Sequence, residues 1–351
     1  MNNTFNENIY NIIETSKNNN HNNIIISGLS IKFAFAMLLN AADGKSKEEL
    51  IKFLGNNENE LNNKTLNYIQ NNQENLKIAN SFWFSSPNTI KKDFENTIKR
   101  YQNADIFVED FSKSEVVNKV NNWISINTNN LINNIIDNLR GATSLLINTL
   151  YFKDEWSKPL DINFTKKDIF NGTKKRNTID MMKAYSDEYF ENDYAKGFSL
   201  NYKNSPYKFI AILPNEEGKF DIRKLDLNNF NCKDGKYSVI ANFPKLNIDY
   251  KTELSDNLKK LHLKSLFKNK NDFNKMLDIP QKVDEIIHKT KFKLDENGTE
   301  AAAATIIGMK FGAAYIEEKT EIKLNFNRPF AFMIKDEINN EILFIGKINN
   351  L

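Results

Sequence analysis

Few side chains in this 351-residue sequence have the type and spacing needed to attack a bond or hold a metal. Its three histidines, His21, His262 and His288, lie far apart, and none forms H-E-x-x-H or another zinc-binding spacing. The one cysteine is Cys232. Cys232 and His288 have the residue types of a thiol nucleophile and its base, but a lone cysteine and a histidine in a strand pattern are more often core residues. G-x-S-x-G, the P-loop, G-x-G-x-x-G and C-x-x-C are all absent. Carboxylates are plentiful, yet no spacing singles out a pair for glycoside hydrolysis. The expectation is a protein that is not an enzyme and that uses no metal and no cofactor.

The unusual segment runs Asp295-Glu-Asn-Gly-Thr-Glu-Ala-Ala-Ala-Ala-Thr-Ile-Ile-Gly-Met-Lys-Phe-Gly-Ala-Ala-Tyr315. By propensity it is a short helix, with Thr299 as N-cap, Ala301–Ala304 as body and Gly308 as stop. A strand accounts for more of it. Thr299, Ala301, Ala303, Thr305, Ile307 and Met309 then share one uncharged face, with Glu300 and Lys310 on the other. Small residues suit a strand that must slide between neighbours, and the thirteen residues Thr299 to Phe311 would span roughly 40 Å when extended. The segment reads equally as an exposed loop and as a buried strand.

The elements around it divide into a helical first third and a strand-rich remainder. Ile31, Phe35, Leu38 and Leu39 have helical spacing, as do Val116, Val117, Val120, Trp123 and Ile124. Ser46-Lys-Glu-Glu49 fits a capping box ahead of Leu50, Ile51, Phe53 and Leu54, with Gly55 as the stop. Asn56–Asn75 reads as loop or a short frayed helix. Beyond about residue 140, Thr143–Phe152, Tyr207–Leu213, Tyr237–Tyr250, Glu285–Leu294, Glu321–Phe326, Pro329–Lys335 and Glu341–Ile348 read as strands. Glu253–Phe267 reads as one late helix. No linker or repeat divides the chain, so a single α+β domain is expected.

Composition narrows the partners. The chain is 40% hydrophobic, and its 48 Lys+Arg against 45 Asp+Glu leave a net charge of +3. That balance gives no footprint for nucleic acid or an anionic membrane. Mean hydropathy is −0.57, and the longest apolar runs, Leu29–Leu39 and Ala142–Leu150, fall short of the roughly 20 residues that a membrane helix needs. A single cysteine and an N-terminus without a signal-peptide pattern place the expected location in the cytoplasm, with signal-independent secretion as the other route. Lys91, Lys92, Lys99 and Arg100 read as a solvated basic face.

At Glu296-Asn-Gly-Thr-Glu-Ala-Ala-Ala-Ala-Thr305 the sequence resembles the hinge of the serpin reactive-centre loop. Phe326-Asn-Arg-Pro-Phe330 resembles the motif that follows that loop, and Asn148-Thr-Leu-Tyr-Phe-Lys-Asp-Glu-Trp156 is similar to the strand and turn where serpin sheet A opens. Met181-Met182, Leu213-Pro214 and Phe243-Pro-Lys-Leu246 fall in the same family order, so the resemblance covers essentially the whole chain. It implies one serpin domain over 1–351, α+β, with three β-sheets, about eight or nine helices and an exposed reactive-centre loop at about 296–320.

Site residues carry over from that resemblance. The hinge is Glu296, Gly298, Thr299, Glu300, Ala301, Ala302, Ala303 and Ala304. Ser27, Ser30, Asn148 and His288 match the shutter beneath sheet A, with Asn148 and His288 as a hydrogen-bonded pair. Gly28 stands where the family has proline, which would loosen the start of that helix. Trp156, Lys245 and Glu296 match the breach at the top of the sheet. The hinge-to-bait count from Glu296 lands on Gly312. Phe311 suits a chymotrypsin-like pocket better, Lys310 a trypsin-like one, and Met309 and Ala313 are the remaining positions.

The activity implied is suicide inhibition of a serine protease, chymotrypsin-like or cathepsin G-like, by a monomer that forms a covalent acyl complex. The region between Leu54 and Leu76 is short where heparin-activated serpins carry a cationic helix, so no heparin switch is expected. Three alternatives stay open: inhibition of papain-like cysteine proteases, a non-inhibitory chaperone, carrier or storage role, and an Asn-rich hydrolase whose site matches no motif.

Overall fold

In chain order the computed structural model contains α1 (Thr4–Thr15), β1 (Ile24–Ile26), α2 (Gly28–Ala41), α3 (Gly44–Leu54), α4 (Glu58–Gln70), β2 (Leu76–Ser85), α5 (Lys92–Gln102), β3 (Ala104–Glu109), α6 (Ser114–Asn127) and β4 (Ser144–Phe152). It continues with β5 (Asp154–Glu155), β6 (Lys166–Asn171), β7 (Arg176–Ser186), β8 (Tyr189–Glu191), β9 (Ala195–Asn201), β10 (Tyr207–Pro214), β11 (Asn231–Lys233), β12 (Tyr237–Pro244), β13 (Leu246–Glu253) and α7 (Ser255–Lys260). The last strands are β14 (Ile287–Asp295), β15 (Gly298–Thr299), β16 (Thr320–Asn325), β17 (Phe330–Asp336) and β18 (Glu341–Ile348). The structure describes residues 4–16, 22–71, 75–133, 135–227, 230–233, 236–279, 282–284, 286–299 and 319–351. Glu300, Ala301–Ala304 and the bait candidates Met309, Lys310, Phe311, Gly312 and Ala313 lie outside the described residues, as does His21.

The chain folds as two compact units. The first comprises Met1–Ile12, Ser27–Phe152 and Lys251–Lys291, and the second Ile13–Ile26, Lys153–Tyr250 and Phe292–Leu351.

In the first unit, α2 is buried along almost its whole length because its residues are apolar on every face. Phe35 packs on Phe53 of α3, and Lys32 lies 4.7 Å from the Phe5 ring centre. On α6, Val116, Val120 and Ile124 recur every four residues, and that stripe packs against Trp83 of β2 and Ile147 of β4. Each such side chain contributes roughly 1.5–3 kcal/mol by leaving water. Strands β3–β2–β4 form a sheet in which β3 runs parallel and β4 antiparallel to β2.

In the second unit, a seven-stranded sheet has the order β1–β18–β17–β10–β9–β8–β11. Every residue of β18 is buried, as the apolar run predicts. A second sheet, β16–β12–β7–β6, pairs β16 parallel to β12. The order β13–β14–β15–β5 completes the sheets. Four sheets are therefore described where three were expected. The reason is local: β4 ends its sheet at Phe152, and after Lys153 the chain resumes as β5 in another. Seven α-helices are described, supplemented by 3-10 turns such as Ser265–Phe267 and Lys270–Phe273.

Four local expectations need correction. Helix α3 starts two residues before Ser46, so Ser46–Glu49 is not its capping box. Instead the Ser46 amide and hydroxyl both donate to Asp272, at 2.9 and 2.8 Å, which satisfies a free helix N–H from a distant turn. The Asn-rich stretch after Gly55, read as loop or a short frayed helix, is a helix of full length, the thirteen-residue α4, opened by a capping box between Asn57 and Glu60. The late helix stops at Lys260, because His262 takes a positive φ of 68° that no α-helix accommodates. Tyr237–Tyr250 is two strands, β12 and β13, broken at Lys245 beside Pro244.

Candidate functional site: hinge, breach and shutter

The loop segment enters the described structure as strand β15. Gly298 and Thr299 pair antiparallel with Asp295 and Leu294 of β14 on one side, and with Glu155 and Asp154 of β5 on the other. The two residues are thus a strand within a sheet, and both are buried. A glycine is required at the first position. Its φ is 150°, and a Cβ there would lie 2.1 Å from the Asp154 carbonyl oxygen.

Around this strand lie Trp156, Lys245 and Glu296, the residues matched to the breach by resemblance. Trp156 is buried, its backbone N–H donates to the Asn297 carbonyl at 2.9 Å, and its indole N–H donates to the Asp295 carbonyl at 3.0 Å. Its ring stacks on Tyr202 at 4.8 Å and meets Phe209 edge-on. Lys245 Nζ lies 2.7 Å from Glu296 Oε1, which also accepts the Thr165 hydroxyl at 2.6 Å. Burial alone would raise the Glu296 carboxyl, but the hydrogen bonds from Lys245 and Thr165 outweigh it and hold the group below its ordinary range. The Tyr202 phenol is fully buried and its pKa is pushed up by that burial, against a smaller opposing effect of the Thr299 hydrogen bond.

Ser27, Ser30, Asn148 and His288, the residues matched to the shutter by resemblance, also meet. Ser27 is the N-cap of α2, and its hydroxyl accepts the Ser30 amide at 3.2 Å. Gly28 follows as the first helical residue, so the start of α2 is fixed by this cap in the absence of proline. His288 Nε2 accepts the Ser27 amide at 3.1 Å, which makes the imidazole neutral with its proton on Nδ1. Burial drives its pKa down to about 4. The Ser30 hydroxyl donates to Asn148 Oδ1. His288 and Asn148 are therefore joined through Ser27 and Ser30. No direct hydrogen bond links the two among the described residues.

Beside this string lies a cleft lined by Leu145–Thr149 of β4, by Ile287 and Lys289 of β14, and by Ile124, Ile132, Ile135 and Ile136. β4 is the terminal strand of its sheet on this side. The arrangement offers an edge and a space next to it, both of which a further strand can use.

The serpin family profile, described as serine protease inhibitor, matches residues 1–351. The chain belongs to the serpin family. This serpin is 28% identical to a serpin-like protein of Methanosarcina mazei, over 99% of this chain and 86% of that one. It is also 28% identical to Antichymotrypsin-2 of Bombyx mori, over 92% and 91%. Among solved structures it is similar to the thermophilic serpin tengpin in its native state, with 30% identity, a TM-score of 0.84 and coverage of 99% and 94%. The same protein in its latent state gives 28%, 0.81, 99% and 97%.

Several residues of this serpin's site escaped the sequence reading. Tyr202 and Thr165 lie in segments without a motif, and Asp154, inside the Asn148–Trp156 motif, was not singled out; each acts through a partner distant in sequence. Asn80, which accepts from Asn148 across β2 and β4 at 2.5 Å, had one available signal: a polar residue within a strand that is mostly apolar and aromatic. The side chain of Cys232 is outside the described residues, and among those described no cluster of His, Cys, Asp and Glu is placed to hold a metal. No described helix is long and apolar enough to cross a membrane.

Proposed function

We propose that this chain is a suicide-substrate inhibitor of serine proteases. The observation that carries the reading is β15: Gly298 and Thr299 of the loop segment already occupy a strand position between β14 and β5. The next residues on the same face, Ala301, Ala303 and Thr305, are small and uncharged. Continued insertion would therefore meet no steric or desolvation barrier from those side chains. The cleft beside β4 supports the same reading.

In the proposed sequence, the protease serine oxygen attacks the carbonyl carbon of Phe311. The peptide bond to Gly312 breaks, the new amine leaves with the C-terminal part, and an ester joins Phe311 to the protease. Insertion of the severed strand beside β14 competes with hydrolysis of that ester. Each inserted residue gains ladder hydrogen bonds on two sides, so the free energy runs toward insertion. The inhibitor is consumed once per protease molecule, as expected of a protein with no turnover.

Antichymotrypsin-2 is named for a preference that Phe311 would meet, and Lys310 next to it would serve a trypsin-like pocket. A chymotrypsin-like or cathepsin G-like protease is the proposed partner. The test is to mix the protein with chymotrypsin, trypsin and papain, run denaturing gels and sequence the released peptide. A covalent high-mass band with chymotrypsin, and a new N-terminus at Gly312, is expected. Loop cleavage by all three with no covalent band would overturn the inhibitory reading.

A further inference from the structure

The string from His288 to Asn148 does not end at β4. Asn148 Nδ2 donates to Asn80 Oδ1 at 2.5 Å, and Asn80 Nδ2 donates to the Gln102 carbonyl at 2.8 Å. Gln102 Nε2 donates to Asn62 Oδ1 at 3.1 Å. The Asn62 and Asn40 amides exchange two hydrogen bonds, at 2.8 and 2.9 Å, and Asn40 Nδ2 also donates to the Ala36 carbonyl at 2.8 Å. Asn80, Gln102, Asn62 and Asn40 are all at most 6% exposed. Four buried primary amides are a costly choice where apolar side chains would pack, unless their pairing matters.

The path leaves α2 at Ser30 and returns to α2 at Asn40. Those positions are ten residues apart, roughly 15 Å along the helix. The sheet β3–β2–β4 is thus tied to one helix at two points. The direct tie is Ser30–Asn148. The indirect tie runs through the end of α5 and through α4.

We propose that Gln102, Asn62 and Asn40 form a second tether that sets how readily this sheet shifts against α2 when a strand inserts beside β4; the proposal rests on the insertion reading above. A new strand needs about 4.8 Å of width. β2 and β3 move with β4, because Asn80 is in register with both Asn148 and Ala104. The last residue of α5 follows β2, because Asn80 holds its carbonyl, while the body of α5 packs on α4 and α2. α4 stays with α2 through the paired amides of Asn40 and Asn62. A hydrogen bond does not survive a displacement of several ångströms. The link that must give is Gln102 Nε2 to Asn62, the longest side chain–side chain bond in the relay. Among the described residues Gln102 Oε1 is buried without a hydrogen-bond partner, so the amide is held from one end alone. These three are positioning residues, acting on the sheet and not on the bait bond.

The test uses the full chain and a synthetic peptide with the sequence Thr299–Phe311, carrying a fluorophore. Peptide incorporation is followed on native gels, and stability by the urea midpoint. Gln102→Met keeps the side-chain length, removes the link and removes the unpartnered oxygen. It should take up peptide about fivefold faster, at an unchanged or higher urea midpoint. The apolar pair Asn40→Leu/Asn62→Leu should also be faster. Thr65→Val, which removes a buried hydroxyl bonded to Leu61 on the same α4, should leave the rate unchanged. Wild-type uptake rates in both relay variants would overturn the tether while leaving insertion intact. So would acceleration that tracks lost stability in all variants, Thr65→Val included. A wild type that neither takes up peptide nor forms a covalent complex would remove the insertion reading and the tether together.

Discussion

The Tyr202 phenol and the Thr299 hydroxyl lie 2.5 Å apart, both buried, with the Tyr202 ring stacked on Trp156. One bond thus fixes the side chain of the first inward-facing loop residue against a buried aromatic pair of the site. Tyr202→Phe removes the bond and keeps the stack. The expected loss is about 1 kcal/mol of hinge stability, read as faster limited proteolysis within residues 300–318 and an unchanged global urea midpoint.

Thr299→Arg would place a charge where a 3% exposed hydroxyl now sits. Burying an unpaired guanidinium costs several kcal/mol. The expected outcome is a protein that chymotrypsin still cuts, with no covalent band. Undiminished complex yield would contradict it.

Gly298→Ala tests the strand position itself. An added methyl would overlap the Asp154 carbonyl, at 2.1 Å. β15 should leave its place between β14 and β5, which hydrogen exchange reads as lost protection at Thr299 and Glu155.

His288 predicts an acid dependence. Its pKa falls from 6.5 to about 4 on folding, because burial disfavours the imidazolium. The unfolded chain therefore binds the proton first. Stability is full above about pH 6.5 and declines as pH falls from 6.5 toward 4, by about 3 kcal/mol in all. Urea midpoints at pH 7.0, 5.5 and 4.5 should fall in that order, and His288→Gln should flatten the trend.

Lys245→Met leaves the Glu296 carboxylate buried with the Thr165 hydroxyl as its remaining side-chain donor. The expected cost is about 1–2 kcal/mol at pH 7. Glu296 is held below its ordinary value of 4.5, so its contribution is present above that value and is lost as pH falls through the lower folded one. Titration of Glu296 by NMR should show a higher midpoint in the variant.

The residues explain why some of this was legible in sequence and some not. α2 is nearly all apolar and α6 carries an apolar stripe, and both patterns specify burial directly, whereas the apolar run of β4 is only half-buried at Ser144, Leu145, Leu146 and Asn148, on the strand that ends its sheet. α4 was hidden because asparagine lowers both its propensity and its apolar contrast. Yet Asn57 and Glu60 stand at capping-box spacing, a signal that was available. The acceptor that serves the first turn of α3 was not available, since Asp272 lies 226 residues from Ser46. The shutter and breach positions were nameable through family resemblance alone. Read singly, Ser30, Asn148 and Lys245 are ordinary polar residues. Tyr202 and Gln102 belong to no motif, and only the packing of distant segments gives them partners.

β15 is two residues long, and β4 ends its sheet with a cleft beside it. A fold that holds room for a strand it has not yet received is better described by a lifetime than by a depth. Heating such a protein times an escape, so its apparent melting point should climb with faster scanning and storage should age it even where no unfolded chain is detectable.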